Sequence, residues 1–128
     1  GRCIGACPVD AVDSMCDEAN DILNRKIAEY TLAVLKGRPN FHVSLVVDVS
    51  PNCDCHSEND APIVPNVGMF ASFDPVALDQ ACIDLVSQAE GNESLMARIA
   101  DRNGIHTLEN AEAVGLGSRA YQLVELEQ

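Results

Sequence analysis

The sequence predicts an α/β protein, with a small mixed sheet of about three strands, helices packed on it, and a cysteine-rich loop in front. Apolar residues recur at helical spacing over residues 17–36, and they alternate with polar residues over 41–49. A second apolar run follows at 67–73 and leads into a helix signal. Strands that alternate with helices in this way are typical of layered α/β folds. The length of 128 residues suits one such domain over residues 17–128, preceded by a loop over 1–16.

The first predicted helix spans residues 17–36, with acidic residues in its first turn. Gly37 and Pro39 end it. Its apolar positions repeat every three to four residues and include Ala19, Ile22, Leu23, Ile27, Tyr30, Ala33 and Val34. In the strand that follows, the alternation predicts one clearly buried face, formed by Phe41, Val43, Leu45, Val47 and Val49. Val46 makes the other face partly apolar, so helices covering both sides is the alternative.

In the second half of the chain, Asp74 is placed to cap a helix and Pro75 fits its first turn. That helix is expected to run to about Ala89, with Gly91 ending it. Thr107 is a candidate cap for a later helix. The remaining predicted elements are a helix over 93–102, a helix over 108–114 and a last strand over 121–126.

The chain is strongly acidic, with 20 acidic against 8 basic residues and a net charge of −12. This charge disfavours nucleic acid and anionic membrane surfaces as partners. It suits either a basic protein partner, as for a small electron carrier, or simple solubility. No apolar run is long enough to span a bilayer, and no signal-peptide pattern is present, so we expect a cytoplasmic location.

Two cysteines near the start of the chain form the first candidate site. Cys3-x3-Cys7-Pro8 matches the second half of the bacterial ferredoxin run, in which thiolates hold an iron–sulfur cluster. The first half of that run is missing, so residues 1–16 are interpreted as a partial, truncated ferredoxin-like loop. We therefore expect this chain alone to hold no intact 4Fe–4S cluster there. The alternative is an ordinary pair of loop cysteines.

A Cys-Asp-Cys-His sequence at residues 53–56 forms the second candidate site. In extended backbone, Cys53 and Cys55 point the same way and could bind one iron or zinc ion. His56 could add an imidazole, although an exposed loop histidine is the commoner outcome. The alternatives are a strained disulfide or two unpaired structural thiols. Further ligands would come from Cys16, whose role stays open, or from the N-terminal pair.

Four further residues outside the two cysteine segments have side chains that could take part in chemistry. Cys82 lies on an apolar helix face and is predicted to be a small buried hydrophobe. Asp79, one turn into its helix, is a weaker candidate for an acid or base. His42 and His106 are predicted to be a partly exposed strand residue and a surface residue.

Several segments resemble the unknown-function family numbered 362, uncharacterised proteins with Fe–S centres. The matching pieces are CIGACPVDA, EYTLAVL, the segment from SLVVDVSPNCDCHSEND to DQACIDLV, and AEAVGLGSRAYQLVEL. Longer members carry ferredoxin-type motifs, and no reaction is established for the family. The resemblance implies cluster ligands at Cys3 and Cys7, and it aligns Cys53 and Cys55 with an element of unknown role.

Three functions follow in order of preference. The first is an iron–sulfur or metal-binding protein that passes electrons to a redox partner protein in the parent protein. The second is a metal-dependent enzyme that uses a metal at Cys53 and Cys55 with a nearby carboxylate such as Asp79. The third is a structural metal module. Reaction, metal identity, electron partner and oligomeric state are not determined by the sequence.

Overall fold

The structure is a computed structural model that describes Pro8 and residues 20–51 and 61–126. Within these residues the α/β class is confirmed, with four helices and a two-stranded antiparallel sheet. In chain order the elements are α1 (Asn20–Leu35), β1 (His42–Val46), β2 (Gly68–Ser72), α2 (Pro75–Val86), α3 (Glu93–Asp101) and α4 (Ile105–Ala113). None of the helices in the described ranges is long and apolar enough to cross a membrane.

Helix α1 confirms the first predicted helix where the structure describes it. It ends before Gly37, whose φ of 72° is a left-handed conformation that glycine adopts without strain. Its buried side is short and consists of Asn24 and Ala28. The Asn24 side-chain amide donates to the carbonyl of Asn103, at 2.8 Å, and so fastens α1 to the loop before α4. The predicted apolar face is largely exposed instead, including Leu23 and Tyr30.

The sheet confirms two predicted strands but corrects the prediction of their buried face. Strand β1 pairs antiparallel with β2, with Ser44 opposite Phe70. Helix α2 packs on the side that carries His42, Ser44 and Val46, and Val46 is buried there. Val43 and Leu45, which the alternation placed inside, are 56% and 65% exposed. The period-2 pattern separates the two faces but does not decide which one the helix covers.

The cap of helix α2 confirms the role predicted for Asp74. Its Oδ1 accepts from the backbone N–H groups of Val76 and Ala77, at 2.8 and 3.1 Å. Its Oδ2 accepts from the backbone N–H of Ser118, at 2.8 Å, so one carboxylate joins the helix start to the C-terminal segment. A Cβ at Gly117 would collide with this carboxylate, which explains why glycine occupies that position.

Helix α2 is the centre of the core and has most of the buried side chains among the described residues. One cluster packs α2 against the sheet and contains Val46, Val64, Leu78, Cys82 and Val86. A second cluster joins α1, α2 and α4 through Ala28, Val76, Leu108 and Ala111. The helix therefore lies between the sheet on one side and the α1–α4 pair on the other.

Helix α3 confirms the helix predicted over 93–102, whereas the start of α4 is a correction. Helix α4 begins at Ile105, so Thr107 lies inside it and is not its cap. Gly104 occupies the cap position, and Asn103, with a φ of 51°, makes the turn before it. The α3–α4 connection is thus tighter than the sequence predicted. Gly115, with a φ of 77°, follows the helix end as expected.

The strand predicted over residues 121–126 was wrong: these residues form no regular element. Side-chain hydrogen bonds, rather than a backbone ladder, hold the C-terminal segment to the helices. Arg119 donates from Nε to the Gln80 side-chain oxygen at 2.8 Å, and the Tyr121 hydroxyl donates to Asp84 at 2.9 Å. The segment is bonded to α2 and pairs with neither strand of the described sheet, so alternation alone was a poor guide here.

Candidate functional site

The predicted ligands fall in two segments, one before residue 20 and one between residues 51 and 61, in the connection from β1 to β2. Cys3 and Cys7, the predicted cluster ligands, lie outside the described residues, and so does Cys16. The predicted metal ligands Cys53, Cys55 and His56 lie outside them as well. What the structure does describe is how the chain enters and leaves the second segment.

The base of the Cys53–Cys55 loop is closed by backbone hydrogen bonds. Ile63 donates to the carbonyl of Val49 at 2.9 Å, and Val67 donates to the carbonyl of Val46 at 2.9 Å. Between them, the backbone N–H of Asp48 donates to the side-chain oxygen of Asn66 at 2.8 Å. The chain therefore leaves the sheet and returns to it at one place. Because these hydrogen bonds already hold the loop ends together, an ion that binds to several donors on this loop has less chain entropy to overcome.

The described part of the fold does not supply a metal centre by itself. Within residues 20–51 and 61–126, no group of three or more His, Cys, Asp or Glu side chains could hold a metal ion. A centre of the predicted kind thus depends on the donors of the two cysteine segments. The chemistry of those donors, thiolates with an imidazole, fits iron or zinc.

Cys82 is the one cysteine in the described residues, and it behaves as the sequence predicts. It is 9% exposed and packs in the cluster between α2 and the sheet. Burial raises the pKa of its thiol, and the nearby Asp79 charge adds to the rise, while a hydrogen bond from Ser44 opposes it. A thiol that stays protonated in an apolar core is a poor metal ligand.

Asp79 lies on the α2 surface beside a small apolar cleft. Although the residue is partly open to solvent, desolvation by its surroundings raises the pKa of the carboxyl, and the nearby His42 opposes the rise. The cleft has a volume of about 70 Å³ and is lined mainly by side chains of α1, α2 and α4, among them Ala28, Val76 and Leu108. That volume is well below the roughly 300–1,000 Å³ of typical small-molecule sites.

Four polar side chains lie where α2 faces β1: Asp79 is near His42, and Cys82 is hydrogen-bonded to Ser44. Asp79 interacts with His42, whereas the cysteine loop leaves beyond Val46, the last residue of the strand. Asp79 thus lies at the opposite end of β1 from the loop base. The sequence analysis did not predict that these residues meet. The available signal was their spacing: His42 and Ser44 are two apart and share one face of a strand, and Asp79 and Cys82 are three apart and share one face of a helix.

Replacing Asp79 with asparagine should remove a pH dependence of stability. Because the carboxyl has a raised pKa in the folded chain, it favours folding while protonated. That contribution is lost as pH rises from about 4, the ordinary Asp pKa, through the raised value. We expect Asp79→Asn to gain stability relative to the unchanged chain as the pH rises above about 4, as measured by urea unfolding. An identical pH slope in both proteins would contradict this.

Comparison with known proteins gives one relationship. The model of the family described as "Domain of unknown function (DUF362)" matches residues 3–84. No curated protein and no solved structure matches the chain. The matched span contains both cysteine segments, β1, β2 and most of α2, and it covers more than half of the 128 residues. The chain therefore belongs to the DUF362 family.

Proposed function

We propose that this chain is an iron–sulfur or metal-binding protein whose cysteines hold the metal and whose parent protein transfers electrons. The observation that carries the proposal is the grouping of five of the six cysteines in two short segments, 3–16 and 53–55. Cys3-x3-Cys7-Pro8 matches the ending of a ferredoxin cluster motif, and Cys53-x-Cys55-His56 combines two soft thiolates with an imidazole.

The described fold supports a distinction between five cysteines that bind metal and one that packs in the core. The sixth cysteine, Cys82, is enclosed in the core with a raised thiol pKa, so it serves packing. The loop with Cys53 and Cys55 instead emerges from a base that hydrogen bonds hold closed. Donors on such a loop bind an ion with less loss of chain entropy than donors on a free segment.

The acidity of the chain supports a protein redox partner with a basic surface. A net charge of −12 attracts such a partner over distance and repels nucleic acid and anionic membranes. A cytoplasmic location fits the same proposal, because a reducing compartment keeps thiols available as ligands.

The second candidate, a metal-dependent enzyme, has one observation in its favour, the raised pKa of Asp79. A carboxyl of this kind can hold a proton for general acid chemistry. Its distance from the loop base along β1 and the small size of the neighbouring cleft favour the electron-transfer proposal over this one.

Metal and sulfide analysis of the chain purified without oxygen tests the proposal. We expect about one iron or zinc per chain from the Cys53–Cys55 loop, and less than a full four-iron cluster from the partial motif. Visible absorbance that bleaches with dithionite would mark a redox-active iron centre. Zinc without such absorbance would favour the structural module, and a chain free of metal and colour would contradict metal binding. Four irons and four sulfides per chain would contradict the expected absence of an intact cluster.

A further inference from the structure

The sheet has an apolar face that no described residue covers. It consists of Phe41 and Phe73, which flank the strands, Val43 and Leu45 of β1, and Met69 and Ala71 of β2; we refer to these six as the outer face. Each of the five large side chains is at least 56% exposed, and Phe73 reaches 76%.

The six residues form one continuous surface, because the strand register places them in neighbouring pairs. Val43 lies opposite Ala71, and Leu45 lies opposite Met69. The rings of Phe41 and Phe73 extend the same row, with centroids 5.0 Å apart in an edge-to-face arrangement. The outer face includes no charged residue, although 28 of the 128 residues of the chain are acidic or basic.

The area of this surface decides what kind of partner it suits. From the exposed fractions of its five large residues, with Ala71 also exposed, the outer face presents roughly 600 Å² to solvent, which is at the upper end for the largest apolar patch of a monomer. Two such faces in full contact would bury at most about 1,200 Å² in total, which equals the lower bound of a standard stable interface. A pair of identical patches therefore has the area that a dimer requires.

We propose that the outer face binds the same face of a second copy of this chain, sheet against sheet across a two-fold axis. In such an interface each residue meets the same patch on the partner, so a surface without charges brings no like charges together. Side chains of two stacked sheets interdigitate at a separation of about 10 Å, which the alternating Val, Leu, Met and Phe residues suit. The proposal uses none of the cysteines and so does not depend on metal binding.

The net charge of the chain predicts how the affinity of this dimer depends on salt. Each copy carries a net charge of −12, and this charge lies outside the outer face. Long-range repulsion thus opposes association, and salt screens that repulsion. We expect the dimer to become tighter as salt is raised from about 0.05 M to about 0.5 M, whereas a contact based on ion pairs would weaken.

Sedimentation equilibrium of the 128-residue chain tests the proposal, with Leu45→Lys and Met69→Lys as the disrupting variants. We expect a mass of twice 13.7 kDa for the unchanged chain at high micromolar concentration. Each variant should weaken the dimer at least ~10-fold, because a lysine would be buried against its symmetry copy. Val34→Lys is the matched control: Val34 is 58% exposed on α1, away from the sheet, and this variant should dimerise normally. Circular dichroism confirms that each variant is folded.

A photo-crosslinking amino acid gives a second measurement that does not rely on disruption. At position 71, in the centre of the outer face, it should capture a second copy of the chain, and at the exposed position 113 of α4 it should not. A folded chain that stays monomeric at all concentrations and salts would overturn the proposal. Loss of the dimer in Val34→Lys alone, or crosslinking at 113 alone, would overturn it as well by moving the contact to the helices.

Discussion

Replacing Asp74 with alanine is expected to lower the free energy of unfolding by about 2–3 kcal/mol. The carboxylate caps α2 through Val76 and Ala77, and it also accepts from the backbone N–H of Ser118. Loss of a helix cap costs about 1 kcal/mol, and loss of the tether leaves a further N–H without its partner. Urea unfolding followed by circular dichroism measures the change.

Two control variants separate the cap from the tether. Asp74→Asn keeps a side-chain oxygen that can cap the helix, but its amide N–H cannot accept from the N–H of Ser118. Because the cap remains, this variant should lose less stability than Asp74→Ala. Asp101→Ala removes an exposed carboxylate at the end of α3 and should change stability by less than about 0.5 kcal/mol. An alanine variant at position 74 as stable as the unchanged chain would show that this carboxylate does not join the two segments in solution.

Replacing both Cys53 and Cys55 with serine is expected to abolish metal binding at the loop. Serine hydroxyls are poor ligands for iron and zinc, and His56 cannot hold an ion by itself. The metal content should fall from about one ion per chain to near zero in elemental analysis. The same variant also separates two of the proposed functions, because a structural metal module loses stability along with the metal.

Cys82→Ala is the matched control for the double serine variant. It removes a cysteine from the core, where the thiol has a raised pKa and packs with Val46 and Leu78. We expect full metal content and a modest loss of stability, from a small change in a packed core. If Cys82→Ala removed the metal and the serine variant retained it, the assignment of ligands to the loop would be wrong.

The elements with strong local signals were predictable from the sequence. Helix α1 ends where Gly37 adopts positive φ, and α2 begins where Asp74 and Pro75 supply a cap and a first turn. These signals depend on contacts within a few residues, so they act before any tertiary structure forms. The buried state of Cys82 followed from the apolar spacing of its own helix in the same way.

Where the prediction failed, the outcome depended on distant parts of the chain. Residues 121–126 have an alternating pattern, but a strand also needs an unpaired neighbour within reach, and the C-terminal segment is held over α2 by Arg119 and Tyr121. Thr107 is a good cap by residue type, yet the turn at Asn103 starts α4 two residues before it. In both places tertiary contacts, which local sequence patterns do not reveal, decided the structure.

The sequence alone determined the α/β class, the helix boundaries at Asp74 and Gly37, and the grouping of cysteines that motivates the metal proposal. Only the tertiary structure decided which face of the sheet is covered. An alternating strand has two distinct faces, and the covered one is the face against which α2 happens to pack; here that is the side of His42, Ser44 and Val46. Within the described residues no element packs on the more apolar side, because burial requires a partner surface and periodicity specifies only that the two sides differ.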